Sequence, residues 1–248
     1  MTVLAAAALG AALQLAPGAT FDGAVPMSLW LEAERTRGSD CGWYLSGYEL
    51  LADTDAAAGG DGCRVAIRLR GTINPASVAY FRDVAARLTE LGARPTRIVL
   101  DSRGGDADSA FAIANVIRTA PLFRRDGIAT EIATDDTAVC FSACLFLFAA
   151  GTERRAEFDI FGNPSLPSRM GIHRPAQYRT ADGSFDLDPS NPAVRRVAAR
   201  MRRYFERVGV DPGIVDAMFA VPFDDIHLIT RDEALGYGLI READLRDD

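Results

Sequence analysis

Lysine is absent from this chain: all 27 basic residues are arginine. Arginine stays protonated in proteins, so no side-chain amine exists to act as nucleophile or general base. That excludes a Ser–Lys dyad, Schiff-base chemistry and a lysine-dependent phosphate loop. Histidine is nearly absent as well, with only His173 and His227 present. Any imidazole acid–base step falls to one of these two. The four cysteines, Cys41, Cys63, Cys140 and Cys144, form no C-x-x-C pair. With two histidines they do not supply the ligands of a closed zinc site, and nothing else in the sequence implies a metal or cofactor.

What is present describes a globular protein. Its 248 residues suit one large α/β domain and a short leader, and 48% are hydrophobic. The net charge of −7 argues against nucleic acid as a partner, because that binding rests on basic side chains. Residues Val3 to Ala16 form an apolar run broken only by Gln14, followed by Pro17-Gly18-Ala19. Its length suits a signal-peptide core or an N-terminal anchor, although Met1-Thr2 lacks the usual positive charge. The expectation is export, periplasmic or beyond, with 1–19 as leader or membrane anchor. Cys41 and Cys63 bracket a Gly/Ala/Asp-rich loop, and export would permit a disulfide between them.

Residues 20–63 give no clear pattern. Order begins at Arg64, where Val65, Ile67 and Leu69 alternate with polar neighbours as a strand that ends at Gly71. Asn74-Pro75 then reads as an N-cap and first-turn proline for a helix over 76–91. Further strands are expected at 97–101, 128–133, 170–173 and 226–229. Helices are expected at 109–119, 143–150, 191–208, after Asp211-Pro212, and after a Thr230…Glu233 capping box. The stretch 152–168 reads as an inserted loop. Alternating strand and helix predicts βαβ crossovers and a mainly parallel sheet, with residues 64–248 forming the domain.

Three segments carry possible chemistry. Asp101-Ser102-Arg103-Gly104-Gly105 places a glycine pair where a buried strand turns, which exposes backbone N–H groups to a ligand. Cys140-Phe141-Ser142-Ala143-Cys144 puts a serine at the entry of an apolar helix, where the dipole favours an anion and the Ala143 N–H is unpaired. Met170-Gly171-Ile172-His173-Arg174-Pro175 ends a short strand on a histidine. Each alone has a plain reading: a turn, an N-cap, and a histidine with an ordinary hydrogen bond.

In order, the segments resemble the proteolytic subunit of the Clp protease and its relatives in the Clp-protease/crotonase fold superfamily. Ile67-Arg68-Leu69-Arg70-Gly71-Thr72-Ile73 is similar to the family's opening strand and G-x-I turn. Ile98 to Gly105 resembles its I-x-L-x-x-S-P-G-G segment, with Arg103 in place of proline. Cys140 through Gly151 resembles its A-S-M-A…A-A-G nucleophile helix, and Gly171-Ile172-His173-Arg174-Pro175 its M-I-H-Q-P. Glu233 to Leu239 resembles its closing E-A-x-x-Y-G-L. The likeness spans about residues 64 to 241, and the leader suggests an exported branch.

The resemblance implies an α/β fold of stacked βαβ units and a serine hydrolase of peptides or other acyl compounds. Ser142 would attack a carbonyl, His173 would take its proton, and the Gly105 and Ala143 N–H groups would hold the oxyanion. No carboxylate stands where the family's acid is expected. Asp225 is the tentative third member, Asp224 its alternative, and Asp216 a further one; a solvated turn before the 226–229 strand explains either of the first two slightly better. A Ser–His pair oriented by some other acceptor is a further option. The family also implies a tendency to homo-oligomerise.

Two other functions stay open. Asp106 and Asp108 beside the glycine pair allow a crotonase-like acyl-thioester enzyme, against which export argues because coenzyme A is intracellular. The missing acid and Arg103 allow a catalytically silent binding or scaffold protein. Cys140 and Cys144, one helical turn apart, read as small buried packing residues or a redox pair. The arginines at 195, 196, 200, 202, 203 and 207 read as a solvated face, a packing helix or a lipid contact.

Overall fold

The computed structural model describes residues 28–33, 43–46, 49–52, 64–90, 92–134, 137–158, 169–175 and 191–244. The expected Cys41–Cys63 bond, the expected leader and residues 159–168 and 176–190 lie outside them.

The main sheet has five strands: β1 (Ser28–Ala33), β4 (Arg64–Arg70), β5 (Arg94–Asp101), β6 (Ala129–Ile132) and β8 (Glu153–Arg155), side by side in that order. The last four run parallel, and β1 joins antiparallel, pairing Ser28 with Arg70 and Ala33 with Val65. β2 (Trp43–Ser46) and β3 (Glu49–Ala52) form a separate hairpin. A second sheet orders β10 (His227–Leu228), β9 (Met170–Ile172) and β7 (Cys140–Phe141), with β7 and β9 parallel. The main sheet thus begins before residue 64, and β8 lies within the stretch expected to be an inserted loop.

The helices follow the expected punctuation. α1 (Pro75–Glu90) is capped by Asn74, whose Oδ1 accepts from Ser77 N at 3.0 Å. α2 (Ala107–Thr119) is capped by Asp106, which accepts from the Ser109 N–H at 2.7 Å and its hydroxyl at 2.5 Å. After the short α3 (Pro121–Arg124) comes α4 (Cys144–Ala149), all six residues of which are buried. A helix apolar on every side must sit inside, and this one does. α5 (Pro192–Arg207) starts from an Asn191 cap, α6 (Ile214–Ala220) follows, and α7 (Arg231–Gly236) carries the full Thr230–Glu233 capping box.

Aromatic rings tie the central helices together. Phe111 of α2 lies 4.4 Å from Phe146 of α4, which meets Tyr204 edge-on at 5.5 Å and Phe205 at 5.2 Å, both from α5. The Tyr204 hydroxyl donates to the Phe146 carbonyl, so burying its polar end leaves no group unpaired.

The two sheets meet where β5 ends. Ser102 bridges to Cys140 of β7, donating its N–H to Val139 O at 2.7 Å and accepting from Phe141 N at 2.9 Å. Meanwhile Ile73, just past β4, pairs with Gly105. The chain after β5 is therefore drawn between both sheets, and the C-terminal ends of β5, β7 and β9 come together. Open parallel sheets place their ligand crevices at such strand ends.

Candidate active site

Ser142 is the only described non-glycine residue with positive φ, at 54°. A residue with a Cβ pays about 1–2 kcal/mol in this region. Such strain persists only where surroundings over-determine it, and it concentrates at functional positions. Three constraints act here. The Ser142 N–H donates to Gly171 O at 2.8 Å, and the Ser142 carbonyl accepts from Leu145 N at 3.0 Å. A disulfide joins Cys140 to Cys144 across the turn, with both cysteines fully buried. The expectation of two packing thiols gives way to a covalent bridge that closes a loop around the serine.

The glycine pair lies against this turn. A Cβ on Gly104 would fall 2.7 Å from Phe141 O, 2.9 Å from Ser142 Cβ and 3.0 Å from Ala143 N; one on Gly105 would fall 2.1 Å from Ile73 O. With φ of 96° and 141°, both positions require glycine. Ser102 braces the pair, donating its hydroxyl to Gly71 O at 2.5 Å and accepting from Gly104 N at 3.1 Å. The Gly104 carbonyl accepts from Ile73 N. The N–H groups of Gly105 and Ala143 have no partner among the described residues. Ala143, rather than Ser142, is the residue that caps α4. Because α4 is only six residues long, an anion here would rest on these two N–H groups more than on a helix dipole.

His173 follows β9 directly. Since β9 runs parallel to β7 with Gly171 opposite Phe141, Ser142 and His173 leave the sheet on neighbouring strands in the same direction. Their side chains share no hydrogen bond in this structure. His173 Nδ1 lies 2.7 Å from the carbonyl oxygen of Arg174. A carbonyl can only accept, so Nδ1 carries the proton and Nε2 keeps its lone pair. Burial pushes the His173 pKa below its ordinary value, and the Arg174 hydrogen bond offsets that in part. The ring meets Phe223 edge-on at 5.2 Å.

The carboxylates proposed as a third member lie elsewhere. Asp225 Oδ1 accepts from the Ile226 N–H at 2.8 Å within an exposed turn, and its own N–H donates to Pro222 O. Asp224 is exposed beside it, and Asp216 pairs with Arg202. No contact joins any of the three to His173 among the described residues. What does reach His173 is Arg174, which sequence reasoning passed over because the acceptor is main chain. Of the other candidates, Asp106 is committed to its cap, Asp108 pairs with Arg200, and His227 pairs with Glu233 at 2.8 Å.

No family model matches the sequence, and no curated protein matches it. Solved structures do resemble the fold. A serine-to-alanine mutant of the 1510-N membrane-bound stomatin-specific protease aligns at 18% identity over 74% of this chain and 78% of that one, with a TM-score of 0.50. A lysine-to-alanine mutant of that protease, in complex with a substrate peptide, aligns at 19% identity over 74% of each chain, also at 0.50. ClpP1 from Listeria monocytogenes aligns at 14% identity over 74% of this chain and 91% of that one, at 0.49. At such identities the likeness speaks of the fold alone, and it rests on the first two. The chain has a Clp-protease-like fold, an α/β architecture with a mainly parallel sheet.

Proposed function

We propose that this chain is a serine hydrolase that cleaves peptide or other acyl bonds through an acyl-enzyme on Ser142. The observation that carries the reading is the strained Ser142 turn, flanked by two unengaged N–H groups and by a histidine whose Nε2 is bare. In the reaction, the Ser142 hydroxyl oxygen bonds to the substrate carbonyl carbon while its proton passes to His173 Nε2. The carbonyl oxygen becomes an oxyanion held by the Gly105 and Ala143 N–H groups. The bond to the leaving group then breaks, and His173 returns the proton to it. Water, deprotonated by the same nitrogen, attacks the ester; the acyl–oxygen bond breaks, the acid leaves, and His173 returns the proton to Ser142. Catalysis requires the Ser142 hydroxyl to come within hydrogen-bond reach of His173 Nε2, a tightening that often awaits substrate.

A peptide or protein substrate is favoured because the stomatin-specific protease of similar fold is described with a substrate peptide. Export, to the periplasm or beyond, is favoured by the apolar stretch at residues 3–16, which would also allow association with a membrane. The Cys140–Cys144 bond suits an oxidising compartment. Homo-oligomerisation belongs to the same proposal.

A silent binding protein is the second reading, favoured by the absence of a Ser142–His173 hydrogen bond and by the lack of any carboxylate contact to His173 among the described residues. Labelling with a fluorophosphonate probe separates the two. Covalent modification of Ser142, lost in Ser142→Ala and His173→Ala, supports the hydrolase. A folded wild type that takes no label rejects it.

A further inference from the structure

We infer that the third member of the catalytic group is the main-chain carbonyl of Arg174, and that Arg174 is a positioning residue which acts through His173. This rests on the hydrolase reading above and names what orients its base. The geometry is a relay through three carbonyl acceptors. His173 Nδ1 sits 2.7 Å from Arg174 O. Arg174 in turn donates twice to a single acceptor, Val221 O: from its backbone N–H at 3.0 Å and from its guanidinium Nε at 3.1 Å. Val221 is itself fixed, as its N–H donates to Met218 O at the end of α6. The segment after α6 is where the resemblance expects an acid. Here that segment supplies a carbonyl that grips Arg174.

Three features make the arrangement suited to the task. An imidazole bonded to a carbonyl through Nδ1 must hold the Nε2 lone pair free, the tautomer a general base needs. Pro175 follows Arg174, so residue 174 is biased to an extended backbone and its carbonyl direction is restricted before any tertiary contact forms. The two hydrogen bonds to Val221 O then hold residue 174 from its other side, through its N–H and its guanidinium. A neutral acceptor stabilises the imidazolium less than a carboxylate would, so the relay predicts correct orientation with a modest rate.

The test reads the tautomer and the reaction separately. Nitrogen-15 NMR of His173, with His227→Gln to leave a single imidazole, should show Nδ1 protonated and Nε2 bare above pH 7. Arg174→Ala should shift His173 toward the Nε2–H form and slow fluorophosphonate labelling by roughly tenfold or more. Arg174→Lys, which keeps a donor and much of the packing, should recover part of both. A wild type with His173 in the Nε2–H form would overturn the inference. So would loss of labelling in Asp224→Asn/Asp225→Asn while the Arg174 variants react like wild type. A wild type with the Nδ1 proton in place, but inert to the probe, supports the positioning and rejects the hydrolase reading alone.

Discussion

The backbone N–H of Ser142 donates to the carbonyl of Gly171 at 2.8 Å, two residues before His173. The proposed nucleophile and base are therefore tied through the main chain of neighbouring parallel strands, not through their side chains. Their relative position depends on strand register.

The strain at Ser142 should separate stability from reactivity. Glycine adopts φ of 54° without the penalty a Cβ carries, so Ser142→Gly should be more stable than Ser142→Ala by about 1 kcal/mol. Both should be inert to the probe. Urea unfolding of the two variants checks this; equal midpoints would mean the turn stores no strain.

Gly105 should tolerate no side chain. A Cβ there would lie 2.1 Å from the Ile73 carbonyl, a backbone atom that cannot rotate aside. Gly105→Ala should cost on the order of 2 kcal/mol or more, and displace the N–H proposed to hold the oxyanion. Thermal unfolding together with labelling rate measures both effects.

Labelling should depend on pH in a direction set by burial. His173 has its pKa lowered by desolvation, so it is neutral and competent throughout the range above its ordinary value near 6.5. The rate should be flat there and fall only below it. Phe223→Ala removes the ring that meets His173 edge-on, lets water in, and should move the acid limb to higher pH. Stability carries the same sign. The unfolded chain binds the proton more readily, so the contribution of His173 is fully present above about 6.5 and is lost as pH falls through the folded value. A wild-type acid limb above pH 6.5 would contradict the burial argument.

The Cys140–Cys144 bond closes a five-residue loop around the serine. Constraining a loop that short is worth about 2 kcal/mol on the chain-entropy account. Replacing both cysteines with alanine should cost about that much and slow labelling, because Ser142 can then relax from positive φ. With both sulfurs buried, mild reductant should leave the folded protein's labelling rate unchanged while denatured protein is reduced readily. Thiol counting before and after unfolding distinguishes the two states.

Local rules in the sequence were enough to place most elements. The Val65/Ile67/Leu69 alternation gives β4 with both ends correct, and Asn74, Asn191 and Thr230 start helices where capping chemistry says they should. β8 was hidden because Glu153-Arg154-Arg155 has no apolar alternation; pairing with β6 makes it a strand, not its own propensity. β1 was hidden for a related reason: its role is to cover the edge of β4, a long-range fact. At the site, Ser142, His173 and the glycine pair were legible by residue type and order. The disulfide was not, since two cysteines four apart also suit one face of a helix, and only the break at Ser142 turns them into a bridge. The Arg174 contact was not legible either, because a peptide carbonyl carries no residue identity.

That last point changes how the protein would look to genetics. Side-chain replacement can silence Ser142 and His173 outright, yet it can only loosen the group that holds the imidazole, because every amino acid brings the same carbonyl to position 174. On the proposed arrangement, an alanine scan of the acidic residues would return no third member and would describe a two-residue catalyst. The partner atom itself can be removed only by chemistry that edits the backbone, such as replacing an amide with an ester.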